Sequence, residues 1–286
     1  MKTIEFEPTN TNTTSDPWGS TTGSGYEDLI LRPEYASRKL RIPAGETWLR
    51  IVPAVKGSRG WLLRLHSLSH PGGRHVHAKS ITPGAWTVFD TAYRWLATNR
   101  PELLFSKKNR SGFRLLTDSL AACWVLTEEA GKVAARILIC SGYDGSRGSG
   151  NAGLGYRLKQ LVEERDEETG IVADPLDPAV GLQICIERLS APGAKYPSYK
   201  LRRGQPPAPI QRYLEKMPQD EIEALCPIEQ TIRLLDADHE WDLLAKVIGE
   251  ALRDEIRADT EARKPSPQPA PIMPEERSLL GEGMTQ

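Results

Sequence analysis

The chain has 286 residues, 39% hydrophobic and 26% charged, with a net charge of −1. That is the make-up of a globular protein with a sizeable core, and no apolar run approaches the ~20 residues of a membrane span. The N-terminus, MKTIEFEPTN, lacks the basic-then-apolar layout of a secretion signal. Cys123, Cys140, Cys185 and Cys226 form no CxxC pair, which argues against a disulfide framework or a zinc ribbon.

A cytoplasmic protein is therefore expected. Its near-neutral total conceals an asymmetry. Residues 32–118 hold 16 Lys and Arg against 5 Asp and Glu, whereas residues 204–286 hold 9 against 17. A basic block inside a near-neutral chain is the footprint of a polyanion site.

Residues 1–30 read as a flexible N-terminal arm, rich in Thr, Ser, Asn and Gly and without apolar period. The fold begins at KLRIPAGETWLRIVP, where Pro43, Gly45 and Glu46 form a turn and a strand follows. Two alternating runs, Trp48–Pro53 and Trp61–His66, flank a loop carrying Lys56, Gly57, Arg59 and Gly60. In the first, Trp48, Arg50 and Val52 share a face with Leu49 and Ile51 behind. In the second, Arg64 and His66 share a face with Leu63 and Leu65 behind. The expected division is a core of Leu49, Ile51, Leu63 and Leu65, with Arg50, Lys56, Arg59 and Arg64 meeting phosphate. The competing reading is a hairpin whose arginines are merely solvated.

His66, His70, His75 and His77 follow in a polar turn region, read as surface histidines in a basic groove rather than a metal site. An insertion over about 78–118 opens with a helix over 84–98, whose apolar stripe is Trp86, Phe89, Tyr93 and Leu96. It continues into a loop where Lys107, Lys108, Arg110 and Arg114 surround Phe113. Cations interleaved with a ring suit a single strand, because phosphates meet the cations and bases stack on the ring.

Residues 119–140 form a hairpin turning at Gly131. The glycines from 142 to 155 lack the GxxxxGK[ST] pattern of a phosphate loop. A helix over 153–166 has Leu154, Leu158, Leu161 and Val162 as its apolar positions, with Tyr156, Arg157 and Lys159 on or beside its polar face. A Pro/Asp loop precedes two strands, GLQICIERLS and YPSYKLRRG. The second carries Tyr199 and Leu201 on one face and Lys200 and Arg202 on the other. Residues 206–260 read as an acidic helical extension: three proline-headed segments, then a helix over His239–Ala258 capped by Asp236 or Asp238. A disordered Pro-rich tail occupies 261–286.

The strand order and the phrases IPAGETWLRIVP, GNAGLGYRLKQLVEERDEETGIVADPLDPAVGLQICIE and YPSYKLRR resemble the phage-type single-stranded DNA-binding proteins, the T4-like helix-destabilising family, over roughly residues 40–210. The resemblance implies a mainly β protein with α additions. Residues 31–205 would form an OB-fold, a five-stranded barrel with a helical insertion, followed by the helical C-terminal extension. It also implies non-catalytic coating of unpaired DNA in replication, recombination or repair, in a bacterial host cytoplasm if the chain is phage-encoded. Self-association along DNA and recruitment of replication or recombination proteins through the acidic C-terminal region belong to the same picture. The expected DNA contacts in the first strands are Arg41, Trp48, Arg50, Lys56, Arg59, Arg64 and His66. The insertion adds Lys107, Lys108, Arg110, Phe113 and Arg114, and the later elements add Tyr156, Arg157, Lys159, Tyr199, Lys200 and Arg202.

Many members of that family carry a zinc module here, but residues 78–118 contain no cysteine. No metal, cofactor or catalytic residue is therefore expected. The alternatives weighed are an RNA-binding or structural assembly protein, and a metal-dependent nuclease using His66, His70, His75 and His77. Against the nuclease, the carboxylates of the basic block are scattered, whereas hard cations need them clustered.

Overall fold

The computed structural model describes residues 27–28, 30–70, 73–106, 108–115, 117–129, 131–143, 153–163, 176–179, 181, 183–189, 198–204 and 208–263. Nearly all of the expected arm, almost the whole tail, and Lys107 lie outside the described residues.

The sheet is built on the hairpin read at 119–140. β5 (Asp118–Glu129) and β6 (Lys132–Ser141) pair antiparallel around Gly131, from Leu120↔Ser141 to Glu129↔Lys132. β5 is apolar on both faces: Leu120, Ala122, Trp124 and Leu126 on one, Ala121, Cys123 and Val125 on the other. A strand with no polar face must be covered on both sides, which makes it central. β6 occupies one edge of β5 along nearly its whole length. On the other edge β3 (Leu63–His70) pairs with residues 118–122 and β2 (Gly45–Ile51) with 125–127.

The two runs of the basic stretch are therefore not a hairpin. They lie end to end along one long strand, whose 12 residues span about 40 Å at ~3.3 Å each.

β4 (Gly73–Val76) continues the sheet beyond β3, and a parallel contact with β1 (Glu27–Asp28) ends that side. β7 (Gln183–Leu189) and β8 (Ser198–Arg203) continue it beyond β2. The order β1-β4-β3-β5-β2-β7-β8, with β6 beside β5, has two terminal strands that do not meet. The expected five-stranded OB barrel is thus incorrect. The chain forms an open sheet, antiparallel across seven strands, with helices on it: a mixed α/β architecture.

Three apolar clusters hold the layers together. On one face, α2 (Leu154–Glu163) buries Leu154, Leu158 and Val162 against Leu49, Ile51, Val125, Ile184 and Ile186. Each such side chain contributes about 1.5–3 kcal/mol by leaving water. Gly142 and Gly153 let this helix seat: a Cβ on Gly153 would stand 2.6 Å from the Ser141 carbonyl oxygen and 2.7 Å from the Gly142 Cα. Gly142, Gly153 and Gly155 therefore serve close packing.

The opposite face carries Leu63, Leu65, Trp124, Leu126 and Ile137. It is covered by α3 (Ile210–Leu214), α4 (Gln219–Glu223) and the 3-10 turn Ile228–Thr231 through Tyr213, Met217 and Ile228. Each of these three elements follows a proline, at 209, 218 and 227, which stands one residue before the helical run. The Trp124 indole donates to the Cys226 carbonyl at 2.9 Å, and Glu221 accepts from Arg38 at 2.6 Å and from the Ala135 amide at 2.9 Å.

The third cluster is helical. α1 (Val88–Asn99), α5 (Ala237–Ile248) and α6 (Glu250–Ala262) pack through Phe89, Leu96, Leu244, Ile248 and Ile256, and the sheet contributes Leu68. A Thr87–Asp90 capping box starts α1 at Val88, later than the stripe read from 84. Trp86 therefore falls outside the helix and is 58% exposed; the buried stripe is Val88, Phe89, Ala92 and Leu96. The single helix expected over His239–Ala258 is two, broken at Gly249, whose φ of +89° an L side chain rarely adopts. Asp236 caps the first by accepting from the His239 amide at 2.9 Å. The acidic region is thus built into two of the three clusters.

Candidate nucleic-acid interface

β3 alternation sends Leu63 and Leu65 to the face covered by residues 208–232, and so sends Arg64 to the α2 face. There Arg64 lies 5.8 Å from the centre of the Tyr143 ring. Tyr143 follows the end of β6, where the Gly142 amide donates to the Ser119 carbonyl at 2.8 Å. The close seating of α2 brings Lys159 to the same ring, its Nζ 5.3 Å from the centre. One aromatic ring thus meets two cations supplied by a strand and a helix, a geometry in which the ring quadrupole attracts both. His66 shares the strand face of Arg64 and is half-buried.

The other residues expected on this helix face do different work. Arg157 donates to the Tyr199 carbonyl at 2.6 Å and pins α2 to β8. Tyr199, like half-buried Tyr143, packs against the α2 cluster, and the Tyr156 hydroxyl accepts from Gln160 at 3.2 Å.

A second patch lies on the opposite face. Trp48, Cys185 and Arg202 are aligned across β2, β7 and β8, and the Arg202 guanidinium stands 5.3 Å from the Trp48 ring centre. Trp48 is 38% exposed. Arg202 is ion-paired with Glu46, and exposed Lys200 is in register with Glu187. Two carboxylates therefore offset the two cations of this patch.

Arg50, expected to meet phosphate, is fully buried on that face. Its guanidinium donates to the carbonyls of Ala208 at 2.9 Å, Ile51 at 2.9 Å and Asp177 at 2.6 Å. A Cβ on Gly181 would overlap it. Arg50 is a structural staple between β2, the 176–181 loop and the start of the C-terminal region.

A third patch lies in the insertion. Exposed Arg114 stands 4.0 Å from the ring centre of Phe105, with Lys108 and Arg110 exposed on the intervening loop. Phe113, expected to stack on bases, instead packs into the helical cluster. Lys56, Arg59 and Arg41 are exposed, and the Arg59 amide donates to Glu229 at 2.8 Å. Other cations of the basic block are paired internally: Arg38 with Glu221, Lys79 with Asp90, Arg100 with Glu255.

The histidines correct the groove reading. His70, His75 and His77 are buried, not surface residues. Burial pushes the His75 imidazole down to about 4 and His77 to about 3, and also lowers His70. Among the described residues, no group of three His, Cys, Asp or Glu side chains is arranged to hold a metal ion. The four cysteines are free thiols. No helix among the described residues is long and apolar enough to cross a membrane.

Sequence reasoning missed Tyr143, Phe105 and the Trp86–Arg94 pair, whose guanidinium stands 4.6 Å from the indole. Tyr143 lies in a stretch read for its glycines, and Trp86 was assigned to a core stripe. An aromatic directly after a strand or before a capping box was the available signal. The chain matches no known family model, and no curated protein matches it.

Proposed function

We propose that the chain binds single-stranded nucleic acid without catalysing a reaction on it, with Arg64, Tyr143 and Lys159 as the central contact. The observation that supports this is the single Tyr143 ring engaged by two cations from separate elements. A base stacking on that ring displaces one cation, which then lies beside the flanking phosphate. Stacking contributes about 1–3 kcal/mol per base with little sequence preference, and phosphate neutralisation releases counterions. DNA is taken before RNA on the resemblance of the strand phrases, and the reading rests on the cation–ring geometry rather than on a barrel. Preferential binding of unpaired strands would shift a duplex towards melting by mass action.

The test is the affinity for a fluorescent dT oligomer, the matching duplex and an RNA oligomer across a salt series. Tight, salt-steep binding to dT and weak duplex binding are expected. Equal affinity for the duplex would overturn the proposal, and stronger binding to RNA would reassign the strand.

A further inference from the structure

The end of the sheet beneath the helical layer carries a feature that nucleic-acid binding does not use. His70 on β3, His75 on β4 and His77 just beyond it stand in a row, with ring centres 5.4 and 5.3 Å apart. Phe89 of α1 packs against both His75 and His77 at 5.4 Å. His75 and His77 have no exposed surface, and none of their ring nitrogens makes a hydrogen bond to a described group. Buried rings without hydrogen-bond partners among the described groups are less costly neutral than charged.

The surrounding charges give little relief to protonated imidazoles. Lys246 of α5 faces His70, while Lys79, from the turn after β4, and His66 of β3 face His77. Asp90 of α1 acts on His77 in the opposite sense. Buried Glu240 of α5 approaches His77 Nδ1 at 3.6 Å, but its other oxygen accepts from the Val88 amide at 2.9 Å, at the first turn of α1. The carboxyl thus ties α5 to the start of α1 while standing beyond hydrogen-bond distance of His77. Among the described residues, Leu68 is the buried apolar side chain that the strands give to the helical cluster, and the two other clusters lie elsewhere on the sheet.

We propose that the His70–His75–His77 row is an acid-released latch, which seats α1, α5 and α6 on the β3–β4 end of the sheet while neutral and frees them when protonated. The layer then opens as a local unit while β5 and β6 keep their pairing. As pH falls below 6.5 the opened state takes up protons that the closed state excludes, so acid favours opening.

Hydrogen exchange of the full chain, corrected for intrinsic rates and compared at pH 7.5 and pH 5.5, tests this. Protection of α1 and α5 is expected to fall about a hundred-fold, ten-fold for each of His75 and His77, while β5 and β6 hold theirs. Equal loss in all elements, or no loss in any, would overturn the latch. In a His75→Phe, His77→Phe variant the pH difference should shrink, and its full retention would count against these residues. EDTA at pH 7.5 should leave α1 protection unchanged; a drop would mean that a metal, not neutral packing, holds the row.

Discussion

Arg50 and Arg64 stand on two strands that share one edge of β5, yet they meet opposite fates. Arg50 points to the face roofed by residues 208–232 and is sealed against three carbonyls. Arg64 points to the α2 face, beside the first turns of a helix that leaves it exposed against Tyr143. Alternation assigns each side chain a face, but what covers that face comes from chain 90 to 160 residues away. The same contrast separates the two cation–ring patches on the sheet. The Tyr143 patch gathers Arg64 and Lys159 on one ring, and the Trp48 patch sets Arg202 and Lys200 beside Glu46 and Glu187.

The largest way to break this comparison is Arg50→Ala. It removes the guanidinium from the carbonyls of Ala208, Ile51 and Asp177, the last of which also accepts from the Gly181 amide, and should cost about 3–5 kcal/mol of stability in urea unfolding, with affinity per folded molecule unchanged. Unaltered stability with weakened binding would return Arg50 to the interface.

Acid comes next. His75 and His77 are held at about 4 and 3, below the ordinary 6.5, so the unfolded chain binds protons first as pH falls. Their contribution to stability is intact above about pH 7 and is lost as pH drops below 6.5 towards those values. Together the two histidines should remove about 3–4 kcal/mol between pH 7 and pH 5. Buried Glu240, whose raised carboxyl takes up a proton in the native state first, offsets part of this at the acid end. A urea midpoint that is flat over the window would contradict the burial of the row.

On the binding side, Tyr143→Ala should weaken dT affinity by about 1–3 kcal/mol, roughly five- to 150-fold, with the circular dichroism spectrum unchanged. Arg64→Ala with Lys159→Ala should instead flatten the salt dependence by about two counterions. Wild-type affinity and salt slope in these variants would move the interface away from the α2 face.

Much of the element list was legible. The β5–β6 hairpin, α2, β7 and β8 follow from apolar periodicity and turn glycines, which are local signals. The barrel was not, because closure depends on which edges meet, and the same strands can form an open sheet. Local reading also missed the sharing of β5 by β2 and β3, since a 12-residue strand with two apolar faces does not announce two partners. Charge counting located the basic block but not its internal pairing: the acids that hold Arg38, Arg100 and the Arg59 amide come from residues 221–255. Buried histidines resemble surface histidines in a sequence until the helix that covers them is placed.

The smallest effect separates the two faces most finely. Glu46→Gln releases Arg202, an exposed pair, so stability should change by under about 1 kcal/mol. Arg202 would then remain over Trp48 with its charge no longer neutralised. If the strand also crosses this face, dT affinity should rise two- to three-fold at low salt, and the gain should vanish above about 0.5 M salt, where screening removes it. Lys200→Ala would lower affinity by a similar factor. If neither variant moves the affinity while Arg64→Ala does, the bound strand stays on the α2 face, and the Trp48 patch is a structural stack over Gly204.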